Sequence, residues 1–171
     1  TCLGIKFYYY YYVYSFGLIL KYFLRVETEF EIKKKRYSLL AKKSNKKKLQ
    51  YLIQNSDKFV EKIIRPKARL FLSNKKKHED EIIIVSAGLS IFLEKWAEKN
   101  SLDLLTNEVK INNSNELEFL YTYDCNNSGK VKRINNHVNI KAFDKIYAYG
   151  DSDGDFEMFA VADDTFYKPF N

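Results

Sequence analysis

The stretch DKIYAYGDSDGDFEMFAVA (residues 144–162) carries an apolar run, 144–149, directly into a cluster of three carboxylates. Asp151, Asp153 and Asp155 stand at every second position, separated by Ser152 and Gly154 and preceded by Gly150. The run predicts a strand, the Gly/Asp/Ser cluster a turn, and DFEMFAVA (155–162) a helix. A calcium loop of the EF-hand kind needs glycine directly after its third acid and glutamate at its twelfth position. Phe156 and Ala162 occupy those places, so that reading fails. A DxDG nucleophile turn beginning at Asp151 would put Asp155 where threonine is usual and leave only 16 residues downstream. What remains is either a solvated aspartate-glycine turn, which is common, or a metal-binding pair of carboxylates four residues apart, Asp151 and Asp155. They are hard oxygen ligands of the kind Mg²⁺ takes beside phosphate and water.

Upstream, strands and helices alternate. IIIVS (82–86) is the β-branched run of a parallel strand buried on both faces. AGLS follows as a turn, and IFLEKWAEKN (91–100) as an amphipathic helix closed by Asn100. DLLTNEVKI (103–111) and ELEFLYTY (116–123) read as strands paired across NNSN. SGKVKRINNHV (128–138) reads as a helix. This alternation predicts an α/β sheet with parallel strands, whose ligands sit beyond the carboxyl ends of the strands. Ser86 and Asp151 each stand at such an end. Residues 37–72 show helical spacing instead, through Leu49, Leu52 and Ile53 and then Phe59, Val60, Ile63 and Ile64, with Pro66 marking an element boundary.

The formal charge of +7 is unevenly spread. Residues 33–77 carry 17 Lys/Arg against Asp57 and Glu61, whereas residues 78–171 carry nine against 17 acids. No zinc-finger, RNP-type or GXXG element accompanies the lysine runs, so nucleic-acid binding is not expected; the runs read as solvated faces. Cys2 and Cys125 form neither a disulfide framework nor a zinc spacing, which fits a reducing, cytosolic setting. His78 and His137 lack partners at ligand spacing and read as surface or structural residues. The start, with six tyrosines between positions 8 and 14, has fourteen uncharged residues from Phe7 to Leu20. That falls short of the roughly 20 apolar residues of a spanning helix. A buried helical pair is the expectation there. Peripheral contact of residues 7–24 and the basic segment with anionic lipid is the alternative.

Taken in order, IVSA, KVKRI and YAYGDSDGD.EM, with RP at 65–66 before them and ADDTFYKPF at 162–170 after, resemble the haloacid dehalogenase-like hydrolases. Within these the resemblance is to subfamily IB, which contains phosphoserine phosphatase-like enzymes, and it spans roughly residues 60–171. It implies a Rossmann-like α/β core with a parallel sheet, about residues 78–171, and a helical cap or insertion, about residues 1–77. It implies Mg²⁺-dependent hydrolysis of a small phosphomonoester, phosphoserine-like or a phospholipid head group. By motif matching, Ser86 would hydrogen-bond a phosphoryl oxygen, and Lys130 would neutralise the nucleophile and the phosphoryl group. Asp151 would bind Mg²⁺, and Asp155 would bind it directly or orient its water. Asp153 falls between matched positions and reads as a solvated turn residue.

The same resemblance implies an aspartate nucleophile in a DxDxT motif on a strand ahead of the cap. The sequence holds none: its first acid is Glu27 and its first aspartate Asp57. The expectation is therefore a chain that starts after its catalytic aspartates, as a fragment, a mis-started frame or a decayed copy, and is inactive as written. The competing expectation is a non-enzymatic membrane-surface or interaction protein on the same fold.

Overall fold

The computed structural model describes residues 27–77 and 80–171. The tyrosine-rich start, with Cys2, and also His78 lie outside the described residues, so the expectations placed on them are not addressed. The chain divides into two compact units. One is the described part of Thr1–Asn55 with Val109–Thr122; the other is Ser56–Glu108 with Tyr123–Asn171.

In the first unit, helix α1 (Glu29–Lys43) begins at a reciprocal cap. The Thr28 hydroxyl accepts from the Glu31 amide at 3.2 Å, and the Glu31 carboxylate accepts from the Thr28 amide at 2.9 Å, which satisfies two otherwise orphaned donors. Helix α2 (Lys46–Gln54) starts at Asn45, whose side chain accepts from the Lys48 amide. Strands β3 (Val109–Ile111) and β4 (Leu117–Phe119) form an antiparallel hairpin across residues 112–116. Phe30 meets Phe119 edge-on, with centroids 5.7 Å apart, and Lys42 pairs with Glu116 at 3.0 Å.

The second unit carries the α/β part. Helices α3 (Ser56–Ile63) and α4 (Pro66–Lys77) precede β1 (Ile83–Leu89), α5 (Ser90–Lys99) and β2 (Asp103–Asn107). Then come α6 (Ser128–His137), β5 (Tyr147–Gly150), a 3-10 turn at Asp153–Asp155, the short α7 (Phe156–Phe159) and β6 (Asp164–Tyr167). Trp96, Ala97 and Leu102 are buried against Val60, Ile64, Leu72 and Ile84. The Trp96 indole donates to Glu61 at 2.8 Å, so the ring is buried with its one donor satisfied. β1 pairs parallel with β2, and β5 pairs parallel with β6. Among the described residues the two pairs are separate sheets.

Several boundaries differ from the sequence expectation: the strand expected over 116–123 shortens to Leu117–Phe119, and the one expected over 144–149 shifts to Tyr147–Gly150. The strand expected at 82–86 runs on to Leu89, because Val85 pairs with Leu105 and Leu89 with Asn107. β1 thus advances four residues while β2 advances two, and the surplus is absorbed as a bulge through Ser86, Ala87 and Gly88. The single strand expected over 103–111 breaks at Glu108, since its halves pair with different partners, β1 and β4. The helix expected at 155–162 shrinks to α7, its last three residues fall outside the helix, and a strand not expected from the sequence, β6, follows at Asp164–Tyr167. Among the described residues no helix is long and apolar enough to cross a membrane.

Candidate functional site

One side chain joins the middle of β1 to the turn that follows β5; Ser86, expected at the end of its strand, lies inside β1, which runs on to Leu89. Lys130, in the first turn of α6, donates to the Val85 carbonyl at 3.4 Å and to the Asp155 carboxylate. Both charged side chains are buried, with relative exposures of 7% for Lys130 and 6% for Asp155. Burying a lone charge is costly, and pairing with full hydrogen bonding is what makes such burial tolerable. The pairing is complete here. Asp155 Oδ2 also accepts from the Asp151 amide at 3.1 Å, the Ser152 amide at 3.0 Å and the Ser152 hydroxyl at 2.8 Å. Burial alone would push the Asp155 carboxyl up. The hydrogen bonds from Lys130 and Ser152, with the Lys130 charge, outweigh it and hold the pKa below the ordinary range.

Local sequence makes this geometry possible. A Cβ on Gly129 would lie 1.8 Å from the Asp124 carbonyl oxygen, so only glycine lets α6 start so close to the preceding loop. Asn127, just before the helix, takes φ 48° and donates its amide to the Gly154 carbonyl at 3.1 Å. The segment that presents Lys130 is thereby tied to the aspartate turn.

Ser86 lies in the β1 bulge, next to the carbonyl that Lys130 contacts. Its hydroxyl oxygen accepts from the Gly88 amide at 3.1 Å. A hydroxyl that accepts one bond still has a proton to donate. The Asp151 carboxylate differs from that of Asp155: it is 58% exposed and lies 3.6 Å from the Arg65 guanidinium. Asp153 is exposed at the head of the 3-10 turn. The folding therefore brings Lys130 and Asp155 into contact, leaves Ser86 next in sequence to Val85, whose carbonyl Lys130 contacts, and joins Asp151 to Asp155 through its backbone rather than its side chain.

A positioning residue, Asn107, was not singled out by the sequence. It is 1% exposed. Its amide donates to the Ala87 carbonyl at 2.9 Å and to Asp124 at 2.6 Å, and its oxygen accepts from the Cys125 amide at 2.9 Å. It fastens the β1 bulge to the loop that leads into α6. The only signal in the sequence was an amide residue amid the apolar strand DLLTN, since a buried Asn must find several partners.

The donor set can be tested against Mg²⁺. A carboxylate offers about four lone-pair sites, and those of Asp155 are met by Lys130, two amides and one hydroxyl. Asp151 presents an exposed carboxylate at a strand end. Among the described residues no three His, Cys, Asp or Glu side chains gather. An oxygen site with one direct carboxylate fits Mg²⁺, which keeps most of its waters and binds phosphate oxygens.

The comparisons bear on the family and the fold. The family model for haloacid dehalogenase-like hydrolases matches residues 8–160. A solved structure described as a protein with unknown function from Bordetella pertussis Tohama I superposes with a TM-score of 0.65. It is 18% identical, with 87% of this chain and 70% of that chain covered, a likeness that speaks for the fold alone. No curated protein matches the chain. With the family model spanning most of its length and a parallel α/β architecture beneath it, the chain belongs to the haloacid dehalogenase-like hydrolases.

Proposed function

We propose that the chain carries the phosphate-binding and metal-binding residues of a Mg²⁺-dependent phosphomonoesterase of the phosphoserine phosphatase-like branch. The observation that carries the reading is the buried Lys130–Asp155 pair, which holds an ammonium group between Val85 of β1 and the turn that follows β5. Phosphoryl transfer depends chiefly on positioning and charge neutralisation. Lys130 supplies positive charge to a phosphoryl group there, and Ser86 donates its free hydroxyl proton to a phosphoryl oxygen. Asp155 fixes the Lys130 ammonium and the turn, so Asp151 is the carboxylate that would hold Mg²⁺ directly. When bound, Mg²⁺ neutralises charge on the phosphoryl oxygens. In this reading residues 1–77 act as the cap or insertion segment that sets substrate choice, and residues 78–171 carry the chemistry.

No DxDxT motif occurs in the 171 residues. The proposal therefore assigns them binding without turnover, with a small phosphorylated metabolite or phospholipid head group as partner. The test is titration of the chain with methyl phosphate and Mg²⁺, followed by NMR of the Lys130 and Ser86 amides. Saturable shifts that weaken about tenfold or more in Ser86→Ala with Lys130→Gln are expected, since bonds to a charged group are worth ~1.5–3 kcal/mol. Absence of saturable shifts would overturn the reading.

A further inference from the structure

Two motifs found no role in the phosphate site: RP at residues 65–66 and YKPF at 167–170. The fold places them together. Arg65, Tyr149, Asp151, Lys168, Pro169 and Phe170 line one cleft of about 200 Å³ that opens beside the aspartate turn. We propose that Arg65 and Lys168 form an anion subsite there, which takes a carboxylate or second phosphate on the leaving-group side of the substrate.

Several features build this cleft from the tail. The Lys168 amide donates to the Gly150 carbonyl at 2.7 Å, which folds the tail over the end of β5. Lys168 holds φ 54°, a left-handed conformation uncommon outside glycine. Such strain persists only where the surroundings fix it. They do fix it. Phe170 packs on Phe71 at 5.2 Å and on Tyr149 at 6.0 Å, and Tyr149 stacks on Phe166 at 4.7 Å. Arg65 donates to the Asn171 side chain, and Lys67 to the Asn171 carbonyl at 2.7 Å.

The electrostatics point one way. The cleft has two cations and one acid, and that acid, Asp151, is the carboxylate assigned to Mg²⁺. A guanidinium has five donors, and Arg65 commits few of them to Asn171 and Asp151. The volume is below the ~300 Å³ at which drug-sized pockets begin, so it suits a single small anionic group between apolar walls. The favoured substrate class is thus a phosphomonoester bearing a second negative group a few bonds from the ester oxygen. The inference rests on the phosphate-binding reading above for its second contact, although the subsite itself stands on separate residues.

The experiment titrates the wild-type chain, with Mg²⁺, with methyl phosphate, phosphoglycolate and malonate, following amide and arginine side-chain signals by NMR. Phosphoglycolate should bind about tenfold tighter than methyl phosphate, the increment of one charge-assisted contact, and malonate should shift signals of Arg65, Lys168 and Phe170. Lys168→Gly keeps a residue suited to φ 54° and should bring the two phosphate affinities within about twofold, while Lys168→Arg restores the difference. Equal affinities in the wild type, with methyl phosphate binding normally, would overturn the subsite and leave the phosphate site standing. Malonate shifts at Arg65 and Lys168 without any methyl phosphate binding would support the subsite and overturn the phosphate site. No binding of any probe would overturn both.

Discussion

Gly150 and Asp155 occupy the same space: a Cβ on Gly150 would lie 2.7 Å from both Cβ and Cγ of Asp155 and 2.8 Å from its Oδ2. The last residue of β5 must therefore be glycine for the buried carboxylate to tuck beneath the strand end and collect its donors. The G in the GD signature has a packing role as well as a turn role. Gly150→Ala should destabilise the chain by about 1–3 kcal/mol, the usual range for overpacking. Urea unfolding reads this directly. The same substitution should weaken methyl phosphate binding, because Asp155 and Lys130 would shift together.

Lys130 and Asp155 should behave as a coupled pair. Removing one partner leaves a buried charge alone, which costs ~3–5 kcal/mol. Lys130→Met should show a loss of that order, and Asp155→Asn a smaller one, because the amide oxygen still accepts from residues 151 and 152. The double variant should be more stable than the sum of single losses implies, since neither charge remains stranded. A double-mutant cycle from denaturation midpoints checks this, and strict additivity would show the contact to be incidental.

The pair also sets a pH dependence. The folded pKa of Asp155 is lowered relative to the unfolded chain, so the native state favours the ionised form. Its stabilisation is fully present above the unfolded carboxylate value of about 4 and is lost as pH falls through the lower folded pKa. Thermal melts from pH 6 down to pH 2 should show the drop below pH 4. In Lys130→Met the lowering contributions from Lys130 vanish and burial dominates. The acid-induced loss of stability that Asp155 contributes should then shrink or reverse relative to the wild type, and an unchanged profile would count against the coupling.

How much of this could be read from the sequence depends on whether the deciding physics was local. The apolar run before Gly150 and the SGKVKRI helix start are local patterns, and β5 and α6 appear within a few residues of their expected places. The bulge in β1 was not legible, because the surplus residues are counted only against β2, some twenty positions later. β6 was missed for the same reason: Asp164–Tyr167 has exposed aromatics and becomes a strand only by pairing with β5. At the site, residue types indicated which groups could carry charge. That Asp155 would spend its carboxylate on Lys130 and Ser152, while Asp151 kept its own exposed, is a tertiary outcome that spacing does not encode.

The separate strand pairs lead to the last prediction. Among the described residues β1 is bonded on one side, to β2, and β5 on one side, to β6. Among the described residues each is thus paired along one edge only, and a parallel edge left open favours pairing with another strand. Lys130 reaches from Val85 in β1 to Asp155 in the turn after β5, so one ammonium group bridges the two strand pairs. A parallel strand between them would pair both edges and deliver its own terminal residues to Lys130. Fusing an apolar strand ending in DFDGT to the N-terminus should therefore raise the unfolding midpoint and reduce self-association. It should also create Mg²⁺-dependent hydrolysis of an aryl phosphate that Asp151→Ala abolishes. The stability gain comes from strand pairing and apolar burial, whereas turnover needs the carboxylates. Changing both added aspartates to asparagine should thus keep most of the stability and remove all of the activity. An extended chain that is neither more stable nor active, with Ser86, Lys130 and Asp151 intact, would mean the open edges do not flank a strand position, and the assignment of those residues to a phosphoryl site would fall with it.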